Sequence, residues 1–211
     1  MRNLKRALSL ALASVMVMGL MVVGPGASYA DVSSEQNQEA IEVLQAVGVM
    51  TGDENGNFNP DAQVTRNEMA VVMSNLMAYN VASYKDTSPF TDVPEWAEPY
   101  VAACYTNGIT SGYDAKTYGG NDTVTTGQAA LMLLKALGYF QYSADFGSDW
   151  LVETTKNGST AGLFDGVATG AKEALTRNDV AQTVLNALAA DRAKAEKTGP
   201  DGPVGDIAIP G

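Results

Sequence analysis

The 211-residue sequence contains no histidine and only one cysteine, Cys104. Histidine is the commonest general base and the commonest metal ligand in proteins, so its absence removes the sites that depend on imidazole. A single cysteine cannot form an internal disulfide, which excludes a disulfide-stapled scaffold. Cys104 occurs at apolar spacing in a predicted helix, where we expect a small core residue and not a reactive thiol.

Other patterns of catalysis and metal binding are also missing. The sequence contains no Gly-x-Ser-x-Gly and no Ser-x-x-Lys element, and its acidic residues are scattered. Every second residue from Asp53 to Asn59 has an acid or amide side chain, as in a calcium-binding loop. An EF-hand loop, however, requires Gly and Glu at the positions that Phe58 and Val64 hold here. We therefore interpret this segment as a polar turn. We expect no catalytic residue, no metal, no cofactor and no enzymatic activity.

Positive charge is scarce, since 13 basic residues face 24 acidic ones and give a net charge of −11. Residues 1–30 combine a basic start, an apolar run and the small residues Ser28 and Ala30, as secretory signal peptides do. The apolar run is short for a membrane span, which typically needs ~20 residues, so we expect cleavage after Ala30 and no membrane contact afterwards. This cleavage removes three basic and no acidic residues, which leaves a charge of −14. Such acidity argues against nucleic acid as a partner.

An internal repeat dominates the remaining sequence. Three glycine-rich stretches are each followed by a threonine that can begin a helix, and Thr65, Thr125 and Thr176 lie 60 and 51 residues apart. Each unit has the pattern helix, loop, helix, with apolar residues at helical spacing. Because a unit of two helices cannot bury its apolar face alone, we predict an all-α fold. Three helix-loop-helix units would form a pseudo-trimeric helical bundle with three projecting loops.

The repeat also gives the domain boundaries. We assign residues 1–30 to the signal peptide, 31–84 to unit 1, 85–144 to unit 2, 145–192 to unit 3 and 193–211 to a linker-like tail rich in glycine and proline. In unit 1 we expect the first helix to start after Ser33 or Ser34 and to end near Val47.

Each threonine of the repeat has the signature of a helix cap. Three residues further on stand Glu68, Gln128 and Asp179, which can complete a capping box. The next residue after the threonine is Arg66, Thr126 or Arg177. A cation opposes the helix macrodipole at this position by about 0.3–1 kcal/mol when exposed, so two aligned arginines suggest a use in binding. The alternative is a surface arginine that pairs with a nearby carboxylate.

Five segments together resemble the S-layer homology family of bacterial surface proteins. They are Phe90–Ala97, similar to the family's Phe-x-Asp-Val-Pro…Trp-Ala opening, Gly108–Tyr113 and Asn57–Pro60, similar to its loop, and Val64–Glu68 and Leu175–Asp179, similar to its Ile-Thr-Arg-Ala-Glu signature. Each segment alone is a weak signal. Their order, spacing and triplication behind a signal peptide make the resemblance specific, and it spans residues 31–190.

The resemblance implies a three-pronged pseudo-trimer that anchors the protein non-covalently to the cell wall or S-layer of a Gram-positive-type bacterium. Grooves between its units would bind anionic secondary cell-wall polysaccharide, often through a pyruvylated sugar. The polysaccharide-binding residues that it implies are Arg66, Arg177, Trp96, Trp150, Asp92, Gly52, Gly112, Thr65 and Thr176. A guanidinium group suits a carboxylate bidentately, an indole suits the apolar face of a sugar, and a helix N-terminus offers further donors.

The sequence departs from the family pattern in each unit. Unit 2 has Thr126 in place of the arginine, unit 1 has no Phe-x-Asp-Val-Pro…Trp opening, and unit 3 keeps only Asp149-Trp150 of that opening. We therefore expect one or two competent grooves. Trp96 and Trp150 have the alternative interpretation of core anchors. Two other functions stay open: a structural protein that assembles with other S-layer subunits, and the anchoring end of a longer surface enzyme or adhesin.

Overall fold

The computed structural model describes residues 29–33 and 36–191. In this range the chain forms six α-helices: α1 (Gln38–Ala46), α2 (Arg66–Leu76), α3 (Glu98–Thr106), α4 (Thr126–Ala136), α5 (Trp150–Thr160) and α6 (Arg177–Ala189). Short 3-10 helices at Val81–Tyr84 and Ser143–Phe146 connect the units. The prediction of an all-α fold is confirmed. The predicted tail and the leader before residue 29 lie outside the described residues.

The helices pair in a closed circle. The second helix of each unit packs against the first helix of the next, so α2 contacts α3, α4 contacts α5 and α6 contacts α1. The second helices also touch one another, α2 with α4 and α4 with α6. Each unit therefore buries its apolar face against its neighbours, as the repeat pattern predicted. Over the described residues no helix has the length and apolarity to cross a bilayer.

A triangle of backbone hydrogen bonds fixes the register of the three units. The Val64 amide donates to the Leu175 carbonyl at 3.0 Å, Leu175 donates to Val124 at 3.0 Å, and Val124 donates to Val64 at 2.9 Å. These residues immediately precede the three cap threonines, and all three side chains are buried. Because every bond joins a different pair of units, the triangle holds the starts of α2, α4 and α6 together.

The core follows the helical spacing of the sequence. In α2 the predicted residues Met69, Val72, Met73 and Leu76 are buried. Helix α1 begins at Gln38, later than the predicted start after Ser33 or Ser34. The reason lies in unit 3, where the Asn178 side chain accepts a hydrogen bond of 2.8 Å from the amide of Asn37, the residue before α1. A tertiary contact thus decides where this helix begins.

Cys104 belongs to the core, as predicted. Its thiol is fully buried in α3 and lies 3.4 Å from the Ser74 hydroxyl of α2. Burial raises the pKa of Cys104 to about 12, which the hydrogen bond with Ser74 only partly offsets. A thiol with so high a pKa stays protonated and unreactive at neutral pH.

Candidate functional site

Two of the three threonine caps are complete capping boxes. The Thr65 hydroxyl accepts from the Glu68 amide, and the Glu68 carboxylate accepts from the Thr65 amide at 2.7 Å. Thr125 and Gln128 make the same reciprocal pair, with 3.1 Å between the Thr125 amide and the Gln128 side-chain oxygen. Both pairs were predicted from the sequence and are confirmed.

The third cap is half of a box. Thr176 accepts from the Asp179 amide, as predicted. The Asp179 carboxylate, however, accepts from the Thr169 hydroxyl and the Asn178 amide group and does not return to the cap. Helix α6 therefore begins with one reciprocal bond fewer than α2 and α4.

The start of each second helix meets the loop of the next unit at a seam. Seam 1/2 joins the start of α2 to loop 2 (residues 107–125), seam 2/3 joins the start of α4 to loop 3 (residues 161–176), and seam 3/1 joins the start of α6 to loop 1 (residues 47–65). At every seam the first two helical amides donate to carbonyls of the loop. At seam 1/2 Arg66 donates to Asp122 and Asn67 to Gly120. At seam 2/3 Thr126 donates to Glu173 and Gly127 to Ala171. At seam 3/1 Arg177 donates to Ala62 and Asn178 to Pro60.

Because of these bonds, the first turns of α2, α4 and α6 have no free backbone N–H donor. The third amide of each helix donates to its cap threonine, and the fourth donates to the threonine carbonyl. The expectation that the helix ends would offer N–H groups to an anion is therefore wrong. The first-turn amides of α2, α4 and α6 are therefore occupied within the protein itself.

At seam 1/2 the guanidinium group of Arg66 lies inside loop 2. Its Nε donates to the Tyr118 carbonyl at 3.1 Å, and its Nη2 donates to the Ser111 carbonyl at 2.8 Å. The rings of Tyr113 and Tyr118 lie with their centroids 4.8 and 4.6 Å from Cζ. Arg66 is only 7% exposed.

At seam 3/1 Arg177 makes the same two bonds to loop 1. Its Nε donates to the Phe58 carbonyl at 2.7 Å, and its Nη2 donates to the Thr51 carbonyl at 2.8 Å. One aromatic ring, that of Phe58, lies 4.7 Å from Cζ, and the arginine is only partly buried. Burial lowers the pKa of Arg177 and nearby carboxylates, Glu68 first, act against this. The guanidinium nonetheless carries its charge at any physiological pH.

Both arginines keep N–H donors that their loops do not use. A guanidinium group has five N–H donors, and each arginine donates to its loop through Nε and Nη2, so Nη1 makes no bond to the loop. The alternative of an arginine paired with a surface carboxylate is wrong. Within the described range the one ion pair shorter than 4.0 Å joins Lys156 and Glu153 of α5.

Seam 2/3 has no guanidinium group. Thr126 is buried, and its hydroxyl lies 3.4 Å from the Glu173 carbonyl. Phe58 and Tyr118 stand two residues before the loop carbonyl that accepts from the second helical amide, and Thr169 takes this position in loop 3. The Leu151 side chain fills the space beside Gly127, only 2.3 Å from where a Cβ would stand. Seam 2/3 is therefore held by backbone bonds and by packing of Leu151 on Gly127, without an arginine.

Asp92 holds loop 2 from the outside. Its two carboxylate oxygens accept from the amides of Tyr118 and Gly119, both at 2.8 Å. Burial acts to raise the pKa of Asp92, but the two amide hydrogen bonds outweigh it and the pKa is lowered. Asp92 thus positions the loop that holds Arg66.

Asp31 performs the same task for loop 1, which sequence analysis missed. Its oxygens accept from the amides of Phe58 at 2.9 Å and Asn59 at 2.6 Å. Two residues earlier the Tyr29 hydroxyl accepts from the Gly52 amide at 2.7 Å, and its ring packs against Phe58 with 5.4 Å between centroids. Phe90 packs against Tyr118 in unit 2 in the same way, at 5.3 Å.

Unit 1 therefore has the first half of the opening that was not expected there. The segment 29–32 (Tyr-Ala-Asp-Val) corresponds to 90–93 (Phe-Thr-Asp-Val), so the expectation is wrong for this half, whereas the Pro and Trp of the opening have no counterpart in unit 1. The motif could have been found from its Asp-Val pair, but the small residues before it also fit the end of a leader. A leader that ended at Ala30 would take Tyr29 away from the core, where it is 9% exposed.

Gly52 and Gly112 make room inside the loops. A Cβ on Gly52 would lie 2.3 Å from the Tyr29 ring, and one on Gly112 would lie 2.4 Å from the Phe90 ring. Each glycine thus lets the aromatic residue of the opening pass beneath its loop. Their predicted role in the approach of a ligand stays a prediction.

Trp96 and Trp150 lie at the surface and are not core anchors. Trp96 is 56% exposed just before α3, and Trp150 is 39% exposed as the first residue of α5. Trp96 lies two residues before α3, whereas Trp150 is the first residue of α5. Both side chains are accessible from solvent, and an indole is the kind of group that can stack on the apolar face of a sugar.

Residues 28–70 and 89–130 match the family model of the S-layer homology domain. The two matches cover about two fifths of the chain and lie in units 1 and 2. The first match starts at residue 28, so Tyr29 and Asp31 belong to the part of the chain that is similar to this model. It ends just beyond the start of α2, and the second ends just beyond the start of α4, so each contains one loop and one cap.

Curated relatives are surface proteins, with one enzyme among them. The chain is 34% identical over 102 residues to a surface-layer 125 kDa protein of Lysinibacillus sphaericus, covering 47% of the chain and 8% of that protein. It is 25% identical over 196 residues to a cell surface protein of Thermoanaerobacter kivui, covering 89% and 25%. It is 29% identical over 153 residues to an endoglucanase of a Bacillus strain, covering 66% and 16%. The chain thus spans a quarter or less of each relative's length.

Proposed function

We propose that this protein anchors non-covalently to the bacterial cell wall by binding an anionic polysaccharide at its seams. The observation that carries the proposal is Arg177, a partly exposed guanidinium group held by two loop carbonyls at seam 3/1, with its Nη1 end unused. Such a rigid fork can take a carboxylate bidentately, and charge-assisted bonds of this type are about twice as strong as neutral ones. A pyruvylated sugar is the ligand that this chemistry fits best.

The acidity of the molecule makes these arginines decisive. With a net charge of −11 the surface repels an acidic polymer, so attraction must come from a few fixed cations. The exposed indoles Trp96 and Trp150 complement them, since each can stack on the apolar face of a sugar ring. Polysaccharide would therefore bind by a few strong contacts and not by a broad charged surface.

Unit 3 is proposed as the third S-layer homology repeat. Thr176 accepts from the third helical amide as Thr65 does, Arg177 makes the same loop contacts as Arg66, and Trp150 corresponds to Trp96. The predicted boundary after residue 84 coincides with the end of the first 3-10 helix, and the predicted boundary after residue 144 lies within the second. A location at the cell wall or S-layer, the absence of enzymatic activity and the signal peptide belong to the same proposal, and cleavage of that peptide after Ala30 would remove the Tyr29 contact with Gly52.

Binding of purified protein to isolated cell walls tests the proposal. Wild-type protein should cosediment with walls and be released when pyruvyl groups are removed. Arg177→Ala should lower retention at least tenfold, while Arg177→Lys should retain part of it because lysine keeps the charge but loses the fork. Lys85→Ala is the matched control, since Lys85 is an exposed cation outside the seams. Equal retention of Arg177→Ala and Lys85→Ala would rule out the proposed site.

Association with other S-layer subunits is a second candidate function, favoured by the surface-layer relatives. It predicts that the purified chain assembles at low concentration in the absence of polysaccharide, which sedimentation velocity would detect. The length of the relatives favours a third candidate, in which the repeats anchor a larger surface protein.

A further inference from the structure

Tyr113 lies across the guanidinium group of Arg66 at seam 1/2. Its ring centroid is 4.8 Å from Cζ of Arg66, and its hydroxyl donates to the Asp122 carboxylate at 3.0 Å. The residue is 56% exposed, so it forms the outermost layer of the seam. Behind it, Arg66 is almost completely buried.

The seat of Tyr113 is formed by residues that fit it specifically. Gly119 has φ +69°, and a Cβ there would lie 2.2 Å from the tyrosine ring, so only glycine leaves room for it. Asp122 is held in place by its own carbonyl, which accepts from the Arg66 amide at 2.9 Å. Burial and the hydrogen bond to Asp122 both raise the pKa of Tyr113, which keeps its hydroxyl protonated as a donor.

Seam 3/1 has none of these three features. The residue after the loop glycine is Asp53, whose carboxylate folds back onto the amides of Asn55 and Asn57, both at 2.9 Å. Asn59 replaces Gly119, and Ala62 replaces Asp122. The face of Arg177 that corresponds to the Tyr113 side of Arg66 therefore has no aromatic cover, and this arginine is partly exposed.

We propose that Tyr113 is the residue that makes the two arginine seams unequal toward an anionic sugar, an inference that rests on the proposed function. A ligand reaches Arg177 directly, whereas it reaches Arg66 only when the Tyr113 ring swings away and its bond to Asp122 breaks. Since the open form is the minor one, the apparent affinity of seam 1/2 is reduced by the open fraction. The loss of one cation–π contact and one hydrogen bond to a charged group corresponds to a factor of about ten or more.

Calorimetric titration with a short pyruvylated oligosaccharide, released from purified wall polysaccharide, tests this. Wild-type protein should show one tight site and a second site about tenfold weaker. Tyr113→Ala should strengthen the weak site toward the tight one, and Tyr113→Phe, which loses only the bond to Asp122, should lie between. Tyr84→Phe is the matched control, because its hydroxyl accepts from Asn107, makes no bond to either arginine and should change neither site when removed.

The outcomes separate the two proposals. Two equal sites in the wild type, or a weak site that Tyr113→Ala leaves unchanged, would overturn the role of Tyr113 while leaving wall binding intact. Loss of the tight site in Arg177→Ala, with the weak site retained and still sensitive to Tyr113→Ala, supports both proposals. No heat of binding for any variant, confirmed by unchanged mobility of the labelled oligosaccharide, would overturn both.

Discussion

Seams 1/2 and 3/1 contain corresponding arginines, Arg66 and Arg177, that are enclosed to different extents. At both, an arginine at the first helical position reaches into the next unit's loop and bonds two carbonyls that correspond in sequence. At seam 1/2 two tyrosines enclose it, and at seam 3/1 one phenylalanine covers one side. The two arginines therefore keep the same backbone contacts, while their exposure to a ligand depends on the side chains of the loop that receives them.

Seam 2/3 has neither the arginine nor the aromatic ring of the other two seams. Thr126 stands where the other seams have arginine, and Thr169 stands where they have an aromatic ring. An arginine without its ring, or a ring without its arginine, would leave a poorly packed seam. The paired change and the Leu151 side chain beside Gly127 give a seam that joins units without a binding group.

The largest effect is expected from removing the enclosed arginine. Arg66→Ala leaves the Tyr118 and Ser111 carbonyls without donors in a buried place and should lower the free energy of unfolding by about 3 kcal/mol. Arg177→Ala, at the more exposed seam, should cost about 1 kcal/mol. Urea denaturation of both variants measures the difference. Equal losses would mean that burial does not distinguish the two seams.

Loss of Tyr29 should be the next largest effect, since it weakens the loop that holds Arg177. Tyr29→Ala removes a buried ring and the acceptor for the Gly52 amide, and we expect a loss of about 2 kcal/mol in unfolding free energy. Tyr29→Phe keeps the ring and should lose less than half of this. A chain that starts at Asp31 should match Tyr29→Ala, compared by thermal unfolding with one that starts at Ser28. If both chains unfold alike, Tyr29 does not support seam 3/1.

A smaller effect is expected at the cap of seam 1/2. Thr65→Ala removes the oxygen that accepts from the Glu68 amide and should cost about 1 kcal/mol, as cap substitutions typically do. Thr65→Ser keeps the oxygen and should be close to neutral. Glu68→Ala should also lower the free energy of unfolding, because it removes the acceptor for the Thr65 amide in this complete box. Chemical denaturation of the three variants measures these differences. A neutral Thr65→Ala would mean that the loop bonds alone hold the start of α2.

The pH dependence of the loop clamps is expected to be the smallest effect. Amide hydrogen bonds hold the pKa of Asp31 and Asp92 below the usual value of 3.8, against the opposing influence of burial. Because the folded pKa is the lower one, the stabilisation is present above about pH 4 and is lost as the pH falls through the folded pKa. Melting temperatures between pH 6 and pH 2.5 should therefore decline below pH 4. Asp92→Asn should decline less steeply, and an unchanged profile would show that Asp92 does not clamp loop 2.

Local sequence signals were enough for the helices and caps, and for the closed arrangement of three units. Thr65, Thr125 and Thr176 begin their helices because capping depends on residues within one turn. The repeat itself indicated the pseudo-trimer, since each unit needs neighbours to bury its apolar face.

Features that depend on contacts between units could not be read from the sequence. The enclosure of Arg66 by Tyr113 and Tyr118 joins residues about 50 positions apart, and spacing alone does not reveal it. The helix ends were expected to be free donors, but loop carbonyls of the next unit occupy them. Trp96 has the spacing of a core residue yet lies at the surface, because α3 begins two residues later, at Glu98.

Capture of an acidic sugar by a guanidinium group at a seam can be followed through the arginine Nε–H signals in a ¹H–¹⁵N NMR titration. The chain has few arginines, so these signals can be assigned by substitution. On addition of a pyruvylated wall oligosaccharide we expect the Arg177 signal to shift first and the Arg66 signal to shift at higher ligand concentration. An oligosaccharide that binds while the Arg177 and Arg66 signals stay unchanged would contradict the account.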